Sequence, residues 1–211
     1  AIQRISNPEL TMRFVLLVLL LILLLIGFCT SQQESPEMGE ARLLSACMGP
    51  RGEDAVDKVI LALADGADIN VQDGKSGQTP LMAAVLRGKE KIVKYLLEQG
   101  ADVTIGEKQG YTAAHGAAFQ GRKDIVDLLV KHGIDAKEDQ HDDGYLPFHR
   151  ACWGREKRHT EVVEYLLDLG VDVNVLSANG KACIDMTSND ETIDLLLERG
   201  SKPPQDKKDE L

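Results

Sequence analysis

Aromatic residues are scarce in this chain: they make up 4% of its 211 residues, with a single tryptophan. An interior built from such a sequence is aliphatic, so any ring outside a core slot calls for a separate reason. Cysteine is nearly absent too. The four cysteines include no Cys-x-x-Cys pair, and Cys29 sits in the apolar leader, which leaves an odd three, Cys47, Cys152 and Cys183. That count argues against a disulfide framework and against a thiol oxidoreductase site. The expectation is a fold held by burial alone. No Asn-x-Ser/Thr triplet occurs, so no N-glycan is expected. Basic residues are in deficit, 24 against 34 acidic, for a formal net charge of -10. Binding to a phosphate backbone relies on Lys and Arg displacing counterions, so nucleic acid is excluded as a partner. The acidity otherwise bears on solubility, not on fold.

Long apolar runs are limited to one. After Met12-Arg13 the stretch from Phe14 to Phe28 carries no charge for fifteen residues. A membrane-spanning helix needs roughly 20; a positive flank, a shorter apolar core and small residues at Cys29 and Ser31 fit a secretory signal peptide. The expected cut is between Ser31 and Gln32. An uncleaved signal anchor is the alternative, and it would tether the same domain in the same lumen, the membrane being touched only through the leader. The last four residues, Lys208-Asp209-Glu210-Leu211, are similar to the retrieval signal of endoplasmic reticulum residents. That resemblance implies the KDEL receptor as a partner and the endoplasmic reticulum lumen as the location.

What the chain has in abundance is self-similarity. "GQTPLMAAVLRGKEKIVKYLLEQGADV" from Gly77 recurs as "GYTAAHGAAFQGRKDIVDLLVKHGIDA" from Gly110 and "GYLPFHRACWGREKRHTEVVEYLLDLGVDV" from Gly144. A shorter echo starts at Gly180, and a degenerate copy runs from Ala41 to Asn70. The leading glycines stand 33, 34 and 36 residues apart. Period and landmarks resemble the ankyrin repeat from Glu40 to Lys202. The resemblance implies an all-α solenoid of about five helix–turn–helix repeats with short hairpin-like turns. Approximate boundaries are 41–72, 73–105, 106–139, 140–175 and 176–202, preceded by a leader over 1–31 and a linker over 32–40, and followed by a polar tail over 203–211.

The residues support that architecture by themselves. Pro80 and Pro147 suit a first helical turn, where a missing N–H costs nothing, and Thr79 and Thr112 are placed to cap those starts. Ile92, Val93, Leu96 and Leu97 form one apolar stripe at helical spacing. Gly66, Gly100, Gly133, Gly170 and Gly200 stop the second helices, since a left-handed terminal residue is cheapest as glycine. Ala83, Ala84, Ala117, Ala118 and Ala151 let first helices approach closely. The extra residues "MGPRGED" and "REKRHT" should form protruding loops, the second a solvated basic turn. A single helix pair cannot bury its own stripe, so the array is the folding unit.

Chemistry is sparse. His115 and His149 occupy the histidine slot of the Thr-Pro-Leu-His motif, where the resemblance implies a structural bridge between units. His132, His141 and His159 fall in turns of separate repeats, too dispersed for a tetrahedral metal site, and are expected to be solvated. "EDQHDDG" imitates the start of a calcium loop through Asp139, His141, Asp143 and Gly144. Its twelfth position should be a bidentate Glu but is Arg150. Gly74-Lys75-Ser76 lacks the leading glycine of a phosphate loop, having Ile69 there. The cysteines read as core fillers. Cys47 and Cys152 are three repeats apart and cannot meet, whereas pairing of Cys152 with Cys183, in neighbouring units, stays open.

Four of the rings lie outside core slots. Tyr111 and Tyr145 follow the hairpin glycines, while Phe119 and Trp153 come late in the first helices. The resemblance implies that these slots face a concave groove where partners dock, and Leu86, Arg87 and Gln120 extend the same face. Aromatic anchors dominate binding energetics; the competing reading is that Phe119 and Trp153 wedge between repeats. The sequence therefore points to a non-catalytic binding module or scaffold without cofactor or metal, gripping a luminal protein on repeats 3 and 4. The alternative is a small luminal enzyme or acidic calcium buffer using the array as a frame.

Overall fold

The computed structural model describes residues 18–19, 36–50, 55–139, 141 and 143–202. The apolar leader, but for the helical pair Val18 and Leu19, lies outside these residues, as do the expected cleavage point and Lys208, Asp209, Glu210 and Leu211. Among the described residues no helix is long and apolar enough to cross a membrane.

The array is all-α, and the described residues contain no strand. Ten helices form five pairs: α1 (Pro36–Met48) with α2 (Val56–Ala64), α3 (Pro80–Arg87) with α4 (Glu90–Glu98), α5 (Ala113–Phe119) with α6 (Lys123–Lys131), α7 (Pro147–Cys152) with α8 (Lys157–Asp168), and α9 (Cys183–Met186) with α10 (Asp190–Glu198). First helices stack on first helices and second on second, so the molecule is a two-layered row with one continuous aliphatic core. Ala83, Ala84, Ala117, Ala118 and Ala151 are all buried where the first helices meet. Ile92, Val93, Leu96 and Leu97 are buried along α4 as their spacing requires. At about 25 cal/mol per Å² of apolar area, these inter-repeat faces supply what a lone pair lacks.

Local signals explain the element ends. Thr79 Oγ1 accepts from the Met82 N–H at 3.2 Å, with Pro80 in the first turn. Gly100 closes α4 with φ 85°, and Gly66, Gly133, Gly170 and Gly200 repeat that positive φ at the equivalent point. Each hairpin closes with one backbone bond, the N–H of Asp73, Glu107, His141 and Ser177 donating to the carbonyl of Gln78, Tyr111, Tyr145 and Lys181 respectively, all at 3.0 Å. Gly144 carries both a positive φ (74°) and a crowded approach, because a Cβ there would lie 2.4 Å from the Ala178 nitrogen.

Several expectations need correction. The stretch 32–40 is not all linker, since α1 starts at Pro36 with Gly39 buried. Proline suits an N-terminal turn, and Glu37 favours the helix dipole there. "REKRHT" is not a loop: Lys157–Thr160 opens α8, which runs twelve residues where α4 and α6 run nine. The insertion lengthens a helix because nothing in it breaks one. Residues 51–54 of "MGPRGED" lie outside the described residues. Thr112 stands at the N-cap of α5 as expected, its N–H donating to His115 Nδ1 at 3.4 Å while its hydroxyl donates to the Asp139 carboxylate at 2.7 Å. Nor is burial alone the glue. Cys152 and Cys183 are disulfide-bonded, with Cα atoms 5.5 Å apart, tying α7 to α9.

Candidate functional site

Because the repeats superpose slot by slot, one can follow a position down the row. The residue after the hairpin glycine is Gln78, Tyr111, Tyr145, Lys181. The sixth residue after it is Ala83, Gly116, Arg150, Met186, and the ninth is Leu86, Phe119, Trp153. The face these residues line therefore changes from aliphatic in repeat 2 to aromatic in repeats 3 and 4.

A cavity of about 310 Å³ opens on this face, lined by Met82, Leu86, Glu107, Tyr111, His115, Gly116, Phe119, Arg150 and Trp153. Phe119 stays 53% exposed and Trp153 38%, so neither is wedged between repeats. Gly116 sits against it: a Cβ there would come within 3.1 Å of Leu86 Cδ2. Gln120 extends the face by donating to the Leu86 carbonyl at 3.1 Å. Tyr145 is off the cavity wall but braces Trp153, their ring centroids 5.3 Å apart. Arg87 is exposed and does not line the cavity.

The residue that organises this region is Arg150, singled out in the sequence only as a wrong calcium ligand. It is 8% exposed. Its guanidinium carbon lies 4.2 Å from the Tyr111 ring centre, 4.3 Å from Trp153 and 4.7 Å from Tyr145. Its Nη2 donates to Asp143 Oδ2 at 3.1 Å and to the Tyr111 hydroxyl. Its buried Nε has no hydrogen-bond partner; the ring faces around the cation take that role electrostatically. Burial alone would raise the Asp143 carboxyl. Hydrogen bonds from the Tyr111 hydroxyl, the Tyr145 N–H and His141 outweigh it and hold the group at about 2. Asp143 is thus a carboxylate at neutral pH and balances the Arg150 charge.

Tyr111 is consequently less available to a partner than its position suggested. Its hydroxyl donates to Asp143 at 2.7 Å, and its ring stacks on His141 at 3.9 Å. His141 is not a solvated turn residue, because it is also bound to the Gln109 carbonyl. His132 is exposed as expected, with Nδ1 2.7 Å from the Leu128 carbonyl oxygen.

The remaining histidines are structural. In His149, Nδ1 accepts from the Leu146 N–H at 3.0 Å while Nε2 donates to the Val175 carbonyl at 3.1 Å, crossing to the next repeat. His115 does the same between the Thr112 N–H and the Tyr145 carbonyl. Burial pushes both imidazoles below their ordinary value, which fits a neutral ring that donates from one nitrogen and accepts at the other. His159, expected in a turn, is 6% exposed in α8 and reaches back to the Phe119 carbonyl at 3.2 Å. Lys89 makes a similar clamp two repeats earlier, with Nζ donating to the Ala46 carbonyl at 2.8 Å while 2% exposed. No local pattern marked either residue, since both act across repeats.

Comparison with known proteins gives this architecture its family. A family model described as "Ankyrin repeats (3 copies)" matches residues 43–140 and 105–177. The chain belongs to the ankyrin-repeat family. Individual relatives share only segments. Ankyrin repeat and SAM domain-containing protein 6 of Rattus norvegicus is 54% identical over 55 residues, 26% of this chain and 6% of its own length. Palmitoyltransferase AKR1 of Lachancea kluyveri is 26% identical over 178 residues, 65% of this chain and 24% of its own. Protein PhlB of Serratia liquefaciens is 46% identical over 52 residues, 25% of this chain and 23% of its own. The chain thus spans less than a quarter of the length of each of these relatives.

Within the ankyrin array, the described residues hold no group of three or more His, Cys, Asp or Glu side chains arranged to bind a metal ion. Among the described residues the cysteine outside the disulfide, Cys47, is buried and its thiol is pushed up to about 12 by desolvation. A reactive thiolate needs the opposite environment.

Proposed function

We propose that this chain is a non-catalytic protein-binding module of the endoplasmic reticulum lumen, docking a partner protein on the concave face of repeats 3 and 4. The observation that carries the reading is the aromatic edge of Phe119 and Trp153 left open over an apolar cavity, on a frame held rigid by Arg150. Rings in such a setting lose little entropy on binding and bury a large area. Leu86 and Gln120 continue the contact face, Tyr111 and Tyr145 support it from beneath, and Arg87 lies at its margin. The relatives' ankyrin segments fit a module of this kind. The acyl transfer in the name of AKR1 belongs to that protein.

For the location, the signal-like leader and the terminal Lys208-Asp209-Glu210-Leu211 are joined by a structural argument. A buried disulfide between Cys152 and Cys183 persists in an oxidising compartment and is rare in the cytosol. The KDEL receptor is accordingly the partner proposed for the tail. Two experiments test the reading. Removing the last four residues should shift the protein from cells to medium. A photo-crosslinking residue in place of Phe119 should trap a discrete luminal protein, and Trp153→Ala should abolish trapping while the array stays folded by circular dichroism, at a lower melting temperature because Trp153 also packs on Arg150. Crosslinks that ignore Trp153→Ala would remove the groove from the reading.

A further inference from the structure

The docking cavity contains one group that its apolar walls do not explain. Glu107 belongs to the hairpin of repeat 3, half-buried, and is among the residues at the cavity with Met82, Leu86, Phe119 and Trp153. The neutral Gln78 amide, 3.1 Å from Oε2, orients the carboxylate. No cation among the described residues pairs with it. Its neighbour Lys108 instead donates to the Gly74 and Lys75 carbonyls at 2.6 and 2.9 Å. The cation that does line the cavity, Arg150, is already matched by Asp143 and enclosed by rings.

Resting on the docking reading above, we propose that this cavity accepts a lysine or arginine side chain of the partner, with its aliphatic stem along Met82, Leu86 and Phe119 and its charge on Glu107. Three considerations converge on this chemistry. A purely apolar side chain would cover Glu107 and strip water from a carboxylate without replacing its hydrogen bonds, which is unfavourable. An acidic one would face both Glu107 and a molecule of net charge -10. A long basic side chain satisfies both features, since its methylenes cover apolar surface while its head stays with the charge. The same net charge draws a basic segment toward the groove during encounter.

The probe is a phage-displayed library of random nine-residue peptides selected on the full chain. Two variants serve as counter-screens: Gly116→Met, which fills the cavity, and Phe119→Asp, at an exposed position where folding is not at stake. Peptides rejected by either variant are groove-dependent and are synthesised with norleucine at each basic position in turn. The expected result is one aligned Lys or Arg whose norleucine replacement weakens binding about tenfold. In Glu107→Gln that lysine-to-norleucine ratio should fall close to one. An aligned apolar or acidic position, or a ratio unchanged in Glu107→Gln, overturns this inference and leaves groove docking standing. A library that yields no groove-dependent peptide overturns both.

Discussion

Repeats 2 and 4 share one backbone plan and use it for different ends. At three matched slots repeat 2 carries Gln78, Ala83 and Leu86, and repeat 4 carries Tyr145, Arg150 and Trp153. Repeat 2 is tied to its predecessor by packing and by the Lys89 clamp to Ala46. Repeat 4 is bonded to its successor through Cys152, where repeat 2 has the buried Val85. The aliphatic repeat is a spacer held by its neighbours. The aromatic repeat is braced by a scaffold shared with its neighbours: a cation under three rings, one of them Tyr111 of repeat 3, an ion pair, and a covalent tie to repeat 5. A binding face with exposed rings needs such bracing, because rings that swing freely lose entropy when a partner orders them.

The largest expected difference between the two regions comes from the disulfide. Cys183→Ser should destabilise the array by about 3.5–4 kcal/mol, from the entropy of the 31-residue separation it closes, measured by urea unfolding without reductant. Adding reductant should bring the native chain down to the variant. Equal stability of the two without reductant would mean that packing alone holds the last repeat.

Next comes Arg150→Met. Losing one partner of a mostly buried ion pair, with its ring contacts, should cost about 2–3 kcal/mol, somewhat below the usual buried-pair loss because Asp143 is one-third exposed. Ala83→Gly at the matched slot of repeat 2 should cost only about 1 kcal/mol. Comparable losses at the two sites would erase the contrast drawn between them.

The third difference is pH dependence. Burial holds His115 and His149 below their ordinary value, so the unfolded chain takes up protons that the folded chain refuses once pH drops below about 6.5. The unfolded state then binds more protons, so stability falls as pH drops. Unfolding curves at pH 7 and 5.5 should show this slope, and the double variant His115→Gln/His149→Gln should flatten it. Repeat 2, with Met82 in the histidine slot, adds nothing to it.

The smallest effect is expected at the face itself. Phe119→Ala should change stability by no more than about 0.5 kcal/mol, because the ring is largely exposed, while removing partner capture. By contrast Tyr111→Ala should weaken the fold measurably, since it releases Asp143 and Arg150. A silent Tyr111→Ala would return that ring to the set of free contacts.

Much of this was legible beforehand for a simple reason: the repeat states the same local rules several times. Gly100 and its counterparts, the Pro80 turn, the Ile92–Leu97 stripe and the buried alanines each follow from near-neighbour physics, and the structure places them accordingly. Leu86, Phe119 and Trp153 could be assigned to one face because slot correspondence survives folding. What local reading missed or left open was how side chains are fixed across repeats. Arg150 meets Tyr111 thirty-nine residues away, His159 meets Phe119 forty away, and the Cys152–Cys183 pairing spans thirty-one. Lys89 carries no mark of burial in its own segment.

Period, helix pairs, stops and the choice of aliphatic core were decided by the amino-acid order alone, since each depends on torsions and contacts within a few residues. Whether the rings of repeats 3 and 4 are core, brace or open surface was decided by stacking. Only when α7 lies beside α5 does Arg150 find its rings, Glu107 find an apolar cavity, and Phe119 remain uncovered.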